Sequence, residues 1–171
     1  MDVASSKPLS PDCVLVDHDG RIVRSIHRSD SLTLVVFGFT HCRVVCPRVL
    51  GRLMSVLERL GTSACALRPV YVTVDPDRDT PDRLRDYLRS SYPLFTGLTG
   101  TAEQLLRVRQ SFRVFASRRG LSDTDYDVAH SAVAYLLDAR GALLDHWQES
   151  VAEDALTVRL SMHLARREHT T

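Results

Sequence analysis

The run LTLVVFGF, residues 32–39, constrains the fold of this chain more than any other feature of its sequence. Apolar and β-branched residues fill nearly every position, which is the pattern of a strand buried on both faces of a sheet. A second run of this kind, RPVYVTV at residues 68–74, follows an intervening amphipathic stretch. The two runs therefore predict neighbouring strands joined by a right-handed helical crossover.

Helix and hairpin signals complete the pattern. The Asp19-Gly20 turn and the late Gly141 turn each predict a β-hairpin, because apolar, extended runs flank both. Proline at a first helical turn, a capping residue or helical apolar spacing marks each helix start. The predicted helices begin at or directly after Pro47, Pro81, Thr101 and Val151. This order predicts an α/β fold: a central mixed sheet flanked by helices, with an N-terminal β-hairpin, a βαβ core and a ββα finish.

The bulk properties favour one globular domain. A chain of 171 residues builds one full core, and we predict a single domain over residues 13–165 between tails at 1–12 and 166–171. The net charge of +1 gives no general field that recruits nucleic acid. No apolar run approaches the roughly 20 residues that span a bilayer, and the start lacks a secretory signal. From the residues alone we expect either a cytoplasmic protein or a targeting segment outside this chain.

Cys42 and Cys46 lie in FGFTHCRVVCP, where the first buried strand passes into a helix. Sites in open α/β sheets gather at this end of the strands. The helix N-terminus, with Arg43 and Arg48 nearby, should lower the thiol pKa values. Sulfurs four residues apart could close a small disulfide or clamp a soft metal ion, and the spacing leaves both open. Cys13 and Cys65 are expected to be small buried hydrophobic residues.

A third metal ligand is suggested by position. His130 opens the predicted strand HSAVAYLLD after a polar loop, so it could face the cysteine loop from the same edge of the sheet. Two thiolates and a neutral imidazole form a soft donor set suited to Cu(I). Zinc accepts the same three donors together with water, so the set does not exclude zinc.

Four ordered motifs carry a resemblance to a known family. FGFTHCRVVCP, VTVDPDRDTP, GLTGT and the late His-Ser pair resemble the SCO/SenC family, from about residue 13 to about residue 165. These are thioredoxin-fold proteins that help to assemble the copper site of cytochrome c oxidase. The resemblance implies a thioredoxin-like three-layer fold and copper, as Cu(I) or Cu(II), bound by Cys42, Cys46 and His130. It also places Asp75 close to the copper loop, although a turn with Pro76 explains that aspartate equally well.

Two departures from the family pattern affect the expected chemistry. The family usually has Pro-Asp-Val between its cysteines, whereas this chain has Arg43, Val44 and Val45, so a positive charge replaces a negative one. That change should lower the thiol pKa values and raise thiol reactivity. Ala129 stands where the family usually has aspartate before the histidine. Without that supporting carboxylate, metal affinity should weaken unless another carboxylate replaces it. The nearby candidates are Asp125 and Asp127.

Two functions from different classes follow. The first is a copper-binding metallochaperone that passes the metal by ligand exchange to a copper-site subunit of cytochrome c oxidase or another copper chaperone. The second is a thiol–disulfide oxidoreductase in which Cys42 attacks and Cys46 resolves, keeping a partner's cysteines reduced before metallation. A thiol peroxidase fits less well, because such sites need a different cysteine environment. The resemblance implies the periplasmic side of the inner membrane, with membrane association through a segment absent from this chain.

Overall fold

The computed structural model describes residues 9, 13–120, 126–130 and 132–168. Apart from Leu9, the predicted tail at 1–12 lies outside these residues, as do residues 169–171 and Asp125. In the described part of the chain, no helix combines the length and apolar character needed to span a membrane.

The described segments form nine strands and four α-helices. The strands are β1 (Leu15–Asp17), β2 (Ile22–Val23), β3 (Leu32–Gly38), β4 (Leu67–Thr73), β5 (Thr96–Thr99), β6 (Ala116–Gly120), β7 (Tyr126–His130), β8 (Val133–Leu137) and β9 (Leu143–Gln148). The helices are α1 (Val45–Leu60), α2 (Pro81–Ser91), α3 (Ala102–Ser111) and α4 (Glu153–Glu168), with a short 3-10 helix over Gly61–Ala66.

Seven strands form one mixed sheet in the order β2-β1-β5-β4-β3-β8-β9. The central strands β3, β4 and β5 are parallel, and the outer pairs are antiparallel. Strands β6 and β7 form a separate antiparallel hairpin. The mixed sheet, the N-terminal hairpin and the parallel pairing of the two apolar runs are confirmed.

Strand β3 is buried along its whole length, as its composition predicts. Leu34 and Val36 pack in a core with residues of α1, α2 and α4. Val35 and Phe37 pack on the opposite face, with residues of α3 and β7. Alternate side chains of one strand thus bind two layers to the sheet. The three-layer arrangement is confirmed, and its centre is the strand that ends beside the cysteines.

The predicted helix starts hold for α2 and α3, whereas α4 begins at Glu153, two residues after Val151. Thr101 and Gln104 form the capping box of α3, and the Thr80 side chain accepts a hydrogen bond from the Arg83 N–H. Helix α1, however, begins at Val45 rather than at Pro47. Proline is tolerated within a first turn because those N–H groups have no acceptor inside the helix. Cys46 therefore lies inside the helix, in its first turn.

The segment before His130 was predicted wrongly. The polar stretch expected to be a loop contains β6 and β7, and His130 is the last residue of β7 rather than the first residue of β8. Tyr126 and Val128 alternate with exposed Asp127, so β7 has the period-two pattern of a half-buried strand. The pattern was hidden because β6 is mostly exposed and charged.

Two smaller expectations also change. Cys65 is exposed in the 3-10 helix rather than buried. Helix α4 continues to Glu168, so residues 166–168, expected to be a frayed tail, are helical.

Candidate metal and redox site

The end of β3 and the start of α1 position both cysteines. The Cys42 N–H donates a hydrogen bond to the Phe39 carbonyl at 3.2 Å, which closes the turn after the strand. Cys46, one residue into α1, is buried, whereas Cys42 is half-buried. The Cys46 N–H donates to the Cys42 sulfur at 3.3 Å. Both cysteines are free thiols.

Gly38 makes room for the buried cysteine. A Cβ atom at this position would lie 2.4 Å from the Tyr71 hydroxyl oxygen and 2.6 Å from the Cys46 sulfur. Tyr71 is fully buried on the neighbouring strand, and burial raises its pKa well above the usual value. Only glycine therefore lets the sulfur and the tyrosine hydroxyl approach the end of β3 together.

The two thiols have very different acidities. A hydrogen bond from the Cys46 side chain, assisted by the backbone N–H groups of Cys46, Val44 and Val45, lowers the pKa of Cys42 to about 5. Sharing that proton with Cys42, together with burial, raises the pKa of Cys46. At neutral pH the half-buried sulfur is therefore a thiolate, while the buried sulfur keeps its proton.

His130 reaches the buried cysteine from β7. Its Nε2 lies 3.4 Å from the Cys46 sulfur, and its Nδ1 lies 3.1 Å from the Val128 carbonyl oxygen. A carbonyl only accepts, so this contact assigns the ring hydrogen to Nδ1 and leaves the Nε2 lone pair directed toward sulfur. The Phe39 ring packs edge-on against the imidazole at 5.5 Å. The structure thus brings His130 into contact with Cys46, 84 residues earlier in the chain.

Asp75 supports this arrangement from a distance. It is buried and accepts hydrogen bonds from the Tyr126 hydroxyl and from Arg78 Nε, both at 2.6 Å. Arg78 also donates to the Tyr126 carbonyl at 3.0 Å and stacks on the Tyr126 ring. The aspartate therefore ties the β6–β7 hairpin, which carries His130, to the loop after β4.

Asp79 fixes the other side of the site and was missed in the sequence. Its carboxylate accepts hydrogen bonds from the Thr40 hydroxyl and the Thr73 hydroxyl, both at 2.6 Å, and from the Thr40 N–H. Burial raises the pKa of Asp79, and these donors oppose that shift. The loop that leads to Cys42 is thereby attached to the end of β4. The available signal was the third aspartate of DPDRD, four residues after the first.

The remaining predicted residues take no part in the contacts that join Cys42, Cys46 and His130. Arg43 is exposed beside a cavity that Cys42 also lines. Arg48 forms an ion pair with Glu149 at 2.8 Å. Asp127 is exposed and accepts from the Val128 N–H, so the Val128 carbonyl, not this carboxylate, supports the His130 ring.

Among the described residues, no three His, Cys, Asp or Glu side chains already form a cluster that could hold a metal ion. The triad is therefore half-assembled: Cys46 contacts His130, and Cys42 contacts Cys46 through its backbone.

Comparison with known proteins shows which family and fold this chain is similar to. The family model SCO1/SenC matches residues 2–165. An SCO2-like protein of Rickettsia felis is 39% identical over 138 residues, which cover 80% of this chain and 67% of the relative. The mitochondrial SCO2 homolog of Bos taurus is 35% identical over 157 residues, covering 90% of this chain and 59% of the relative. A part of each relative's length thus lies outside the match.

The structural comparison agrees. The structure of Bradyrhizobium japonicum ScoI with copper bound superposes with a TM-score of 0.79 at 31% identity, covering 93% of this chain and 99% of that chain.

The difference in thiol acidity gives a direct test. Alkylation of Cys42 by iodoacetamide should stay near its maximal rate down to about pH 5 and fall tenfold per pH unit below it, because only the thiolate reacts. In Cys46→Ala the inflection should move to higher pH, since the largest stabilising contact is lost. Thiolate ultraviolet absorbance and peptide mass mapping give both readouts. Cys65→Ser, which removes an exposed thiol elsewhere, should leave the Cys42 inflection in place. An inflection near the ordinary thiol pKa in the wild-type protein would contradict the assignment.

Proposed function

We propose that this chain, which belongs to the SCO1/SenC family, is a copper-binding metallochaperone of cytochrome c oxidase assembly. The observation that carries the proposal is the 3.4 Å contact between the Cys46 sulfur and His130 Nε2. It joins a cysteine of the strand-end loop to a histidine whose other nitrogen is already occupied. A ring held in this tautomer is ready to donate its Nε2 lone pair to a metal.

The donor set favours Cu(I). Cys42 and Cys46 would bind as thiolates and His130 as a neutral imidazole, which is a soft set. Copper would displace the proton that Cys46 holds at neutral pH and draw the Cys42 thiolate toward the existing Cys46–His130 pair. Zinc in a structural site would take a fourth protein ligand. The copper-bound relative supports copper as the cargo.

Supporting residues give the site its geometry. Asp75 and Arg78 would hold the hairpin that carries His130, and Asp79 would hold the loop before Cys42. These contacts replace the carboxylate that the family usually has at the position of Ala129. Arg43 would act at the mouth, where its charge favours the Cys42 thiolate and the approach of anionic groups.

Copper transfer requires a partner with competing soft ligands. We propose a protein with a cysteine-rich copper site, either the copper-site subunit of cytochrome c oxidase or another copper chaperone. The half-buried Cys42 would be the ligand that a partner thiolate replaces first, because Cys46 is enclosed by Gly38 and Tyr71. We place the exchange at the periplasmic side of the inner membrane.

The same thiols support thiol–disulfide exchange as a second function. Cys42 is half-buried and ionised, whereas Cys46 is buried and protonated, which suits Cys42 to the role of the attacking cysteine and Cys46 to that of the resolving cysteine. Cys42 would attack a partner disulfide, and Cys46 would release the product by closing the Cys42–Cys46 bond. The difference in their pKa values favours this alternative.

Anaerobic Cu(I) titration tests the first function. The reduced protein should bind one Cu(I) per chain, and Cys42→Ser, Cys46→Ser and His130→Ala should each lower affinity by more than about 100-fold, because removing a ligand exceeds the effect of removing a ligand's support. A competing chromophoric chelator measures the affinity. His146→Ala removes an exposed histidine of β9 and should have no effect. Full affinity in His130→Ala would overturn the proposed ligand set.

Tyr126→Phe tests the support of His130. The variant keeps the ring that stacks under Arg78 but loses the hydrogen bond to Asp75. Copper affinity should fall about tenfold, since outer-shell contacts orient the ligand. The pKa of Cys42, which depends on the start of α1, should stay near its wild-type value. Tyr135→Phe, at a buried tyrosine of β8, is the matched control and should bind copper normally. Equal affinities for the two variants would show that Asp75 acts elsewhere.

A further inference from the structure

A cavity of about 690 Å³ opens beside the half-buried cysteine. Cys42, Arg43 and Val44 line it from the cysteine loop, and Arg119 and Tyr126 line it from the β6–β7 hairpin. Its volume lies within the range typical of sites for small molecules. Of the three proposed copper ligands, Cys46 and His130 are not part of this lining, so the space extends beyond their contact.

The cavity wall has an excess of positive charge. Arg43 and Arg119 are exposed on opposite sides, and within the described residues neither guanidinium forms an ion pair. Arg78 also lines the wall, but Asp75 already neutralises it at 2.6 Å. Among the described residues of the lining, Asp127, the cross-strand neighbour of Arg119, is the single carboxylate. Two guanidinium groups therefore remain available for carboxylates, which they recognise through charge-assisted, paired hydrogen bonds.

Cys42 lines the same cavity as these cations. Val44, 64% exposed, adds an apolar surface to the lining. A ligand that matches this wall is peptide-sized, has carboxylates at its ends and has a sulfur near its middle. An ordinary metabolic anion without sulfur would use the arginines but not the thiolate.

We propose that this cavity binds a small thiol or disulfide bearing carboxylates, with the carboxylates on Arg43 and Arg119 and the sulfur against Cys42. The inference rests on the second proposed function and names its substrate class. The geometry favours a small molecule over a protein segment, because the reactive sulfur lies in a concave space rather than on a flat surface.

The exchange balances in two steps. The Cys42 thiolate attacks one sulfur of the disulfide RSSR, forming a Cys42–SR mixed disulfide and releasing RS⁻. Cys46 then attacks the Cys42 sulfur, the Cys42–SR bond breaks, and the Cys46 proton leaves with the second product as RSH. The two cysteines are oxidised to a disulfide, and RSSR is reduced to two thiols. Reversal of the same steps lets the anionic thiol reduce the protein.

Disulfides of different charge test the inference on the full chain. We would measure rates of Cys42–Cys46 oxidation by oxidised glutathione, which is anionic, by neutral 2-hydroxyethyl disulfide and by cationic cystamine. In Arg119→Gln the ratio of the anionic to the neutral rate should fall about two- to fivefold, the size expected for one exposed charge pair. Added salt should lower the anionic rate and raise the cationic rate. Arg24→Gln, which removes an exposed arginine outside the cavity lining, should leave the ratio unchanged.

The possible outcomes distinguish a failure of this inference from a failure of the proposed functions. Suppose that Arg119→Gln reacts with the neutral disulfide at the wild-type rate and has the wild-type ratio of anionic to neutral rates. That result would overturn the preference for an anionic substrate and would leave the exchange activity intact. No reaction with any of the three disulfides overturns the exchange activity itself. Copper affinity, measured in parallel, should be unchanged in Arg119→Gln. An acidic cysteine peptide disulfide that reacts far faster than oxidised glutathione would overturn the small ligand in favour of a protein segment.

Discussion

The close approach of the Cys46 sulfur and the Tyr71 hydroxyl to the backbone of Gly38 is the constraint on which the site depends. Both atoms lie within 3 Å of the point that a Cβ of residue 38 would occupy. Gly38 ends β3 and pairs with Thr73 of β4, so this contact is fixed by the most buried part of the sheet. It sets where α1 begins and keeps one thiol buried while the other is half-exposed. The contrast between the two thiol pKa values follows from the hydrogen bond that Cys46 donates to Cys42, together with that difference in burial.

Two buried carboxylates, Asp75 and Asp79, then attach two distant segments of the site to the same strand end. Asp79 holds the loop before Cys42 through Thr40, and Asp75 holds the β6–β7 hairpin through Tyr126 and Arg78. Both follow β4, whose last residue, Thr73, donates its hydroxyl to Asp79 and accepts the Asp75 N–H. A site built from two distant segments is thus organised by one short loop. This explains how the His130 ring keeps its place although Ala129 precedes it.

The sequence predicted the elements whose patterns are local and strong. The β3 and β4 runs, the Thr101 capping box and the strand-end position of the cysteines needed only hydrophobic period and capping chemistry. The β6–β7 hairpin was not predicted, because Arg118 and Arg119 give β6 a polar composition. The burial of Tyr126 also depends on contacts with residues outside its own strand. The role of Asp79 was not predicted for a related reason. Its hydrogen-bond partners Thr40 and Thr73 are 39 and 6 residues away, and only the fold brings them to the same carboxylate. The contact of His130 with Cys46 spans 84 residues, and the expected strand-end position of His130 pointed to it together with the family resemblance.

The central claim is that one metal ion is bound by Cys42, Cys46 and His130 together. X-ray absorption spectroscopy at the copper edge of the Cu(I)-loaded protein measures that coordination shell directly. The account predicts two sulfur ligands and one imidazole nitrogen, with the imidazole scattering lost in His130→Ala and retained in His146→Ala. A shell of sulfur alone, or imidazole scattering that persists without His130, would contradict it.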